Sequence, residues 1–264
     1  PYGHTVIGTH EDLQAATLDD VIRFFDTWYV PNNASLVVAG DFNPEEAKRW
    51  ITDYFGGLKR SALPERATPV ALQRPQQAVV ETKDNVQIPL TVMAWHTPAA
   101  LQDGDAAFDV LAAVLGDGRS SRLYDDLITN KSAALEAGAW QYSQKLGSIF
   151  ALTGKPTDNM TIEELEDAMF DHLKAVAADG PTPAEMDRVL NQLEASFVGD
   201  LEGLQARASA LNRYHYLAGT PDYVASDLSR YRNVTAADVQ AAAATLTEDR
   251  RCTLRVRPQV GGAQ

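Results

Sequence analysis

Close to the start of the chain, apolar residues recur at helical spacing, at Val21, Phe24, Phe25 and Trp28. Residues 17–20 (TLDD) precede them and supply a capping residue and an acidic first turn, so the pattern predicts a helix. The β-rich run at 34–39 predicts a strand, and Asn43-Pro44 begins a further helix. One strand and two or three helices cannot enclose a core. Residues 1–60 therefore need partner strands from elsewhere.

Beyond this first part, residues 61–76 contain three prolines and no clear period, which is typical of a linker, and we place the linker at 63–76. Alternating apolar positions then predict strands at 78–82 and 87–97, joined as a hairpin. The remaining pattern predicts helices at 103–115, 120–130, from Thr161 and from Thr182 (both in capping boxes), near 222–230 and at 235–246, with strands at 134–143, 147–154 and 252–257. Paired strands alternating with paired helices indicate an α+β layer, an antiparallel-rich sheet with helices on one face.

An internal repeat supports this fold class. Residues 17–21 match 235–239 at an offset of 235 − 17 = 218, and the same offset, without a gap, places 34–38 on 252–256. The alternative is chance, because a capped helix before a strand is common. The gapless register favours two copies of one domain, the first of them incomplete at its N-terminal end.

Composition narrows the class of partner. The chain has 36 acidic and 23 basic residues and a net charge of −13, so a nucleic acid would be repelled. No apolar run approaches the roughly 20 residues that span a bilayer. The single cysteine, Cys252, excludes an internal disulfide, and its alternating surroundings predict a small buried side chain. The chain starts at Pro1 without a methionine, so we expect an upstream segment to be missing.

The histidines do not form a metal-binding motif. No two of the five stand four residues apart, which excludes an H-x-x-E-H or H-E-x-x-H pair. A loop site at His4 and His10 is the less favoured alternative to solvated side chains. We expect packing roles for His96 and His215. We therefore predict that no residue of this chain binds a metal ion.

The segment GDGRSSRLYDDLITNKSAALEAG, residues 116–138, has the composition of a working loop. No lysine follows Gly118, and the segment comes after a predicted helix, so neither nucleotide-binding fingerprint fits. No G-x-S-x-G nucleophile motif is present either. We interpret Gly116 as the cap that ends one helix and Ser120 or Ser121 as the N-cap of the next.

Several stretches together resemble one family, the pitrilysin–insulinase zinc metallopeptidases, including the bacterial processing-protease-like members. The stretches follow the order of the family and span nearly the whole chain: PYGH at 1–4, VIG at 6–8, EDL at 11–13, TLDDV at 17–21, YVPNNA at 29–34, LVVAGD at 36–41, WHTP at 95–98, LGDGRSSRLY at 115–124 and PTPAE at 181–185. No single stretch is specific, and the ordered set carries the resemblance.

The resemblance implies a repeated α+β domain, of which two copies close around a chamber that takes unfolded peptides. Residues 1–62 would be the C-terminal half of the catalytic-type domain, 63–76 the linker, and 77–264 a complete second, non-catalytic domain. Exposed apolar surface is expected around Phe24, Trp28 and Leu36. A homodimer through that surface is a further expectation.

The family binds zinc through H-x-x-E-H and a later glutamate, all of which precede the Pro-Tyr-Gly segment. The resemblance therefore implies zinc in the full-length enzyme, none bound to this chain, no catalytic residue and no activity of the chain alone. Many members grip the substrate with an arginine and a tyrosine, and these positions fall on Ile128 and Leu135, seven residues apart. Neither side chain can donate a hydrogen bond. The predicted chamber-wall residues are Ser121, Arg122, Ile128 and Leu135, with Arg122 structural rather than catalytic.

The function implied is part of a zinc metalloendopeptidase that degrades or processes peptides, with this chain as the non-catalytic, chamber-closing part. The alternative is a non-catalytic partner subunit, or a binding or assembly protein of the same fold without proteolysis. The expected partners are a peptide or unfolded polypeptide and the N-terminal zinc-binding portion or a partner subunit. Acidic, cysteine-poor relatives are often bacterial and exported, which favours the periplasm and leaves the cytoplasm as the alternative.

Overall fold

The computed structural model describes residues 2–68 and 77–259. The expected linker at 63–76 is described up to residue 68, and its other residues lie outside the described part, as do Pro1 and residues 260–264. The division of the chain at this linker stays a prediction.

Residues 2–68 form three α-helices, α1 (His10–Ala15), α2 (Leu18–Trp28) and α3 (Pro44–Phe55). The Oγ1 of Thr17 accepts a hydrogen bond from the backbone N–H of Asp20, whose carboxylate accepts from the N–H of Thr17. The side chain of Asn43 accepts from Glu45 and Glu46 at the start of α3. Because these caps satisfy N–H groups that a helix start leaves open, both predicted helices begin where expected.

The strand predicted at 34–39 does not form. These residues pair with no strand in the described part of the chain. A strand needs a neighbour for its backbone N–H and C=O groups, so the right apolar pattern is not sufficient without one. The apolar surface expected here is present, because Phe24 and Leu36 are exposed and Trp28 is only partly buried.

Residues 77–259 contain most of the helical structure, in α4 (Asp105–Gly116), a π-helix (Tyr124–Asn130), α5 (Ile162–Asp179), α6 (Pro183–Asp200), α7 (Leu204–Ala218), α8 (Val224–Arg232) and α9 (Ala236–Thr245). Thr161 and Thr182 cap α5 and α6 through the predicted boxes with Glu164 and Glu185. The helix predicted at 120–130 forms mainly as the π-helix. None of the helices within the described ranges is both long enough and apolar enough to cross a bilayer.

The described residues form one five-stranded sheet, with β1 (Ala78–Asp84), β2 (Leu90–Thr97), β3 (Ala134–Tyr142), β4 (Ser148–Pro156) and β5 (Cys252–Pro258). The strand order is β1-β5-β2-β4-β3. β1 and β5 are parallel, and the other three neighbouring pairs are antiparallel. The predicted α+β class with an antiparallel-rich sheet is confirmed.

The hairpin predicted between the first two strands is wrong. β5 lies between β1 and β2, so that Leu254 pairs with Val80 on one side and with Val92 on the other. Residues 85–89 cross two strand spacings, a distance of roughly 10 Å that a short connection spans easily. Closeness along the chain suggested pairing, but the C-terminal strand supplies the actual neighbour of both.

One face of the sheet packs against α4 and α5, and α9 packs against these two helices. Met93, Trp95, Phe150 and Leu152 of the two central antiparallel strands are buried on this face. α4 is buried along almost its whole length, in agreement with its nearly continuous apolar sequence. The prediction of helices on one face of the sheet is confirmed.

Cys252 was expected to be buried, and it is exposed. It pairs with Ala94 on the face of the sheet opposite the helices, whereas its neighbour Thr253 points towards the helices and is fully buried. Alternation along a strand predicts that one set of side chains is covered, but it does not say which set.

Candidate functional site

The corner after α4 is held tightly against the sheet. A Cβ atom placed on Gly116 would lie 2.1 Å from the backbone nitrogen of Ala139 in β3, so only glycine fits there. Gly116 is the last helical residue rather than the cap, which is Asp117. Gly118 has a φ of +78°, in the left-handed region. The two glycines thus allow a close contact between helix and strand and a reversal of the chain.

Ser121 is fully buried in this corner, and its Oγ donates to the carbonyl of Gly118 at 2.7 Å. The helix that continues as the π-helix begins at Arg122, and the Ser121 carbonyl accepts from the backbone N–H of Asp125 at 2.9 Å. Ser121 therefore stands at the predicted N-cap position, although its hydroxyl donates to Gly118. The Ser121 hydroxyl instead closes the turn that precedes the helix.

Arg122 joins the corner to the start of α6. Its Nε lies 2.7 Å from Oε1 of Glu185 and its Nη2 lies 2.8 Å from Oε2, a two-point ion pair. Nη2 also donates to the carbonyl of Gly180 at 3.2 Å. The hydrogen bonds from Arg122 lower the pKa of Glu185 from 4.5 to about 2. The guanidinium of Arg122 therefore has a structural role.

The remaining two predicted wall residues differ in exposure. Ile128 lies in the π-helix and packs, partly buried, against the core. Leu135 is exposed at a β-bulge of β3, where the pairing register shifts between Ala134 and Glu136. Of the four predicted wall residues, Leu135 has the side chain most open to a partner, and a role of the four in peptide contact stays a prediction.

The face of the sheet opposite the helices, called here the open face, presents apolar and aromatic side chains. Trp140 and Tyr142 of β3 are 41% and 57% exposed on it, and Leu254 lies beside Val80 in the neighbouring strands. One row of paired residues crosses this face, Cys252, Ala94, Ala151 and Trp140. Within this row Ala151 is fully buried and Ala94 is partly buried, so the exposed side chains lie at its two ends, Cys252 and Trp140. These residues were missed at first, although the alternation in β3 could have indicated them.

A cleft of about 840 Å³ lies between the end of β2, the start of α4, and helices α8 and α9. Its volume is within the range of small-molecule sites. Trp95, Phe108 and Ala242 contribute apolar walls, and Arg230 contributes a cation. Arg230 already donates to Asp227 at 2.8 Å and to Asp105 at 3.5 Å, so its charge is used within the fold.

Beside this cleft, α4 and α8 share a cluster of acidic side chains. The Asp105 carboxylate accepts from the backbone N–H of Leu101 at 3.0 Å, whereas the cap position of α4 is Gly104. Asp105 thus bonds to the loop that precedes α4. Asp109 accepts from the Tyr231 hydroxyl at 2.8 Å, and burial raises the pKa of Asp109 from 3.8 to about 6.

The described residues do not bring together a donor set for zinc. Within 2–68 and 77–259, no three side chains of histidine, cysteine, aspartate or glutamate converge as metal ligands would. His96 and His215, for which packing roles were expected, are both exposed. The described residues therefore do not fit a zinc ion, and no chemical step is assigned to them.

Comparison with known proteins gives a consistent pattern. The family profile described as "Peptidase M16 inactive domain" matches residues 15–193. The zinc protease PqqE of Helicobacter pylori is 28% identical over 256 residues, which cover 91% of this chain and 57% of that protein. The chain spans about half the length of the curated relatives it matches.

Two solved structures share the fold. A protease from Helicobacter pylori superposes with a TM-score of 0.81 at 25% identity, covering 96% of this chain and 62% of that one. The peptidase M16 inactive domain from Pseudomonas fluorescens superposes with a TM-score of 0.85 at 18% identity, covering 100% and 62%.

Proposed function

Because this chain belongs to the peptidase M16 family, whose inactive domain it matches over residues 15–193, we propose that it is the non-catalytic, chamber-closing part of a zinc metalloendopeptidase. The whole protein would degrade or process peptides, with zinc bound by a portion outside this chain. This chain alone has no ligand set for zinc in its described residues and is proposed to be inactive by itself.

The observation that carries the proposal is the open face of the sheet. The helices cover one face, and the other keeps Trp140, Tyr142 and Leu254 in solvent. Exposed apolar surface of this kind marks an interaction site in a soluble protein. An unfolded peptide offers apolar side chains, which can pack against the exposed side chains of the open face.

We assign the domains as the sequence suggested. Residues 77–264 are the complete non-catalytic domain, 63–76 the linker, and 1–62 the C-terminal half of the catalytic-type domain. The exposed apolar side chains of α2 and of residues 34–39 support an incomplete first domain.

The predicted wall residues take different parts in this proposal. Ser121 and Arg122 hold the corner between α4 and α6 in place. Leu135 contacts peptide at the bulge of β3, and Ile128 supports it from the π-helix. Since neither Ile128 nor Leu135 can donate a hydrogen bond, contact with peptide at this wall is apolar.

The second candidate is a partner subunit or an assembly protein of the same fold without proteolysis. The inactive-domain match and the open face would suit that role as well. An assay of peptide cleavage by the full-length protein distinguishes the two candidate functions, because only the first requires cleavage.

Peptide binding to the open face can be measured directly with this chain. A fluorescein-labelled, unstructured 20-residue peptide should raise its anisotropy on titration, and Trp140→Ser should weaken binding roughly tenfold, because an aromatic contact contributes on the order of 1.4 kcal/mol. The matched control is Tyr54→Ser, which removes an aromatic side chain that is 77% exposed on α3. If both variants bind the peptide with the same affinity as the parent chain, the open face is not the peptide site.

A further inference from the structure

The cleft between β2 and helices α4, α8 and α9 lies on the helix side of the sheet, away from the open face. Trp95 lines the cleft, whereas its neighbour Ala94 belongs to the row that crosses the open face. Successive side chains of a strand point to opposite faces, so the cleft and the open face are separate surfaces. A ligand can therefore occupy the cleft while the open face stays free.

A hydrogen-bonded turn joins an apolar wall of the cleft to a cation. The indole Nε1 of Trp95 donates to the carbonyl of Thr247 at 2.8 Å, and the backbone N–H of Arg250 donates to the same carbonyl at 3.2 Å. Trp95 is 2% exposed and stacks on Phe170, so the turn is anchored to the core. The apolar wall and the turn that carries Arg250 are thus held together.

Some polar side chains of the lining have no partner within residues 2–68 and 77–259. Arg250 is partly buried and forms no ion pair or side-chain hydrogen bond there, and the carboxamides of Gln102 and Asn233 form no hydrogen bond there. Arg230, in contrast, shares its charge with two buried aspartates. Among the described residues, the lining thus presents an unpaired guanidinium together with amide donors and acceptors.

The loop between β2 and α4 forms part of the cleft wall in a strained conformation. Leu101 lines the cleft and has a φ of +64°, which few residues other than glycine adopt. Its backbone N–H donates to the buried carboxylate of Asp105 at 3.0 Å, and the Ser143 hydroxyl donates to the same carboxylate at 2.7 Å. Strain of this kind persists only where the surrounding structure fixes it, and it clusters at binding sites. This wall is therefore set before a ligand binds.

We propose that the cleft binds the C-terminal end of a short peptide whose last residue is apolar. The peptide carboxylate pairs with Arg250, and the last side chain packs against Trp95 and Phe108. The peptide amides bond to the carboxamides of Gln102 and Asn233. The volume of about 840 Å³ is within the range of small-molecule sites. Binding at the cleft requires no cleavage, so it is independent of the proposed function.

The charges and amides of the lining favour a peptide over other acids. Asp103 and Asp238 also line the cleft, and both are exposed. A phosphate group would bring about two negative charges close to these carboxylates, whereas one peptide carboxylate matches one guanidinium. A fatty acid has a carboxylate and an apolar body, but it has no amide groups for Gln102 and Asn233. A peptide end satisfies all of these side chains.

The first test is isothermal titration of this chain with the tripeptide Ala-Ala-Phe, with its C-terminal amide, and with decanoate. The free acid should bind at least about tenfold more tightly than the amide, and Arg250→Gln should remove that difference, because the charge-assisted hydrogen bonds are lost. Arg119→Gln, at an exposed arginine beyond the other end of α4, is the matched control and should bind like the parent chain.

Three results of this titration would overturn the inference. They are equal affinity for the acid and the amide, tighter binding of decanoate than of the tripeptide, and no binding of the tripeptide at millimolar concentration.

The second test fills the cleft and leaves Arg250 in place. Ala241 lines the cleft from α9 and is exposed, so Ala241→Phe should fold normally and should lower the affinity for the tripeptide at least about tenfold. Ala244→Phe, at an exposed position of the same helix outside the lining, is the matched control. Trp140→Ser should leave binding of the tripeptide unchanged. Loss of binding with Trp140→Ser but not with Ala241→Phe would place the tripeptide on the open face and contradict the inference.

Discussion

The ion pair of Arg122 and Glu185 shows how a residue that looks functional in sequence can be structural. The pair is mostly shielded from solvent, and it links the corner after α4 to the capped start of α6. Glu185 also accepts from the backbone N–H of Thr182 at 2.7 Å, so one carboxylate serves a helix cap and an ion pair. Removing the cation would leave this carboxylate without its main partner.

Arg122→Met should lower the free energy of unfolding by about 2 kcal/mol at pH 7, because a shielded carboxylate loses its charge-assisted hydrogen bonds. The pKa of Glu185 is lowered from 4.5 to about 2, so this stabilisation is complete above pH 4.5 and is lost as the pH falls towards 2. Urea unfolding measures the loss of stability in the variant at pH 7 and its decrease at pH 3. Arg119→Met, at an exposed arginine in the same corner, is the control and should change stability by less than about 0.5 kcal/mol.

The contribution of Asp109 to stability depends on pH in the opposite sense to that of Glu185. Burial raises the pKa of Asp109 from 3.8 to about 6, so the folded state holds the proton more tightly and stability falls as the pH rises through that window. Asp109→Asn removes the titration and can still accept from Tyr231. It should raise the unfolding free energy at pH 8 by about 2 kcal/mol and leave it unchanged below pH 4. Asp187→Asn, at an exposed position, is the control, and an equal gain from both variants would contradict the burial argument.

At the scale of elements, the contact between α4 and β3 depends on a missing side chain. Gly116 lets the end of the helix approach the backbone of Ala139, and the corner that follows positions the π-helix beside β3. A helix end that touches a strand backbone has no space to relax, since both sides are main chain.

Gly116→Ala should therefore cost about 3 kcal/mol of unfolding free energy, because the new Cβ would overlap the Ala139 backbone. Gly118→Ala is the matched control two residues away. Its surroundings are open, and only the left-handed φ of +78° opposes a side chain, so about 1 kcal/mol is expected. Thermal or urea unfolding of the two variants gives the comparison, and equal losses would contradict the close-approach explanation.

The elements themselves were largely predictable, because their caps are local. The boxes at Thr17, Thr161, Thr182 and Thr235 all form, since each depends on residues three positions apart. Pairing was not predictable in the same way. Insertion of β5 between β1 and β2, and the absence of a partner for 34–39 in the described residues, depend on contacts far apart in the chain.

At the scale of the whole molecule, the predicted family and fold class are both confirmed. The candidate site was less predictable. Sequence spacing led to Ser121 and Arg122, whose polar groups turn inwards, whereas Trp140 and Tyr142 became candidates only when the sheet showed which face the helices leave uncovered. Which face of a strand is open is a tertiary property, and one strand alone does not contain it.

We propose that this chain is a non-catalytic part that closes a chamber around peptides cut elsewhere in the protein. The most direct measurement compares cleavage of a quenched fluorogenic peptide, together with zinc content by elemental analysis, in this chain and in the full-length protein. We expect no cleavage and no stoichiometric zinc for this chain, and chelator-sensitive cleavage with bound zinc for the full-length protein. Cleavage by this chain alone, with one tightly held zinc ion per molecule, would contradict it.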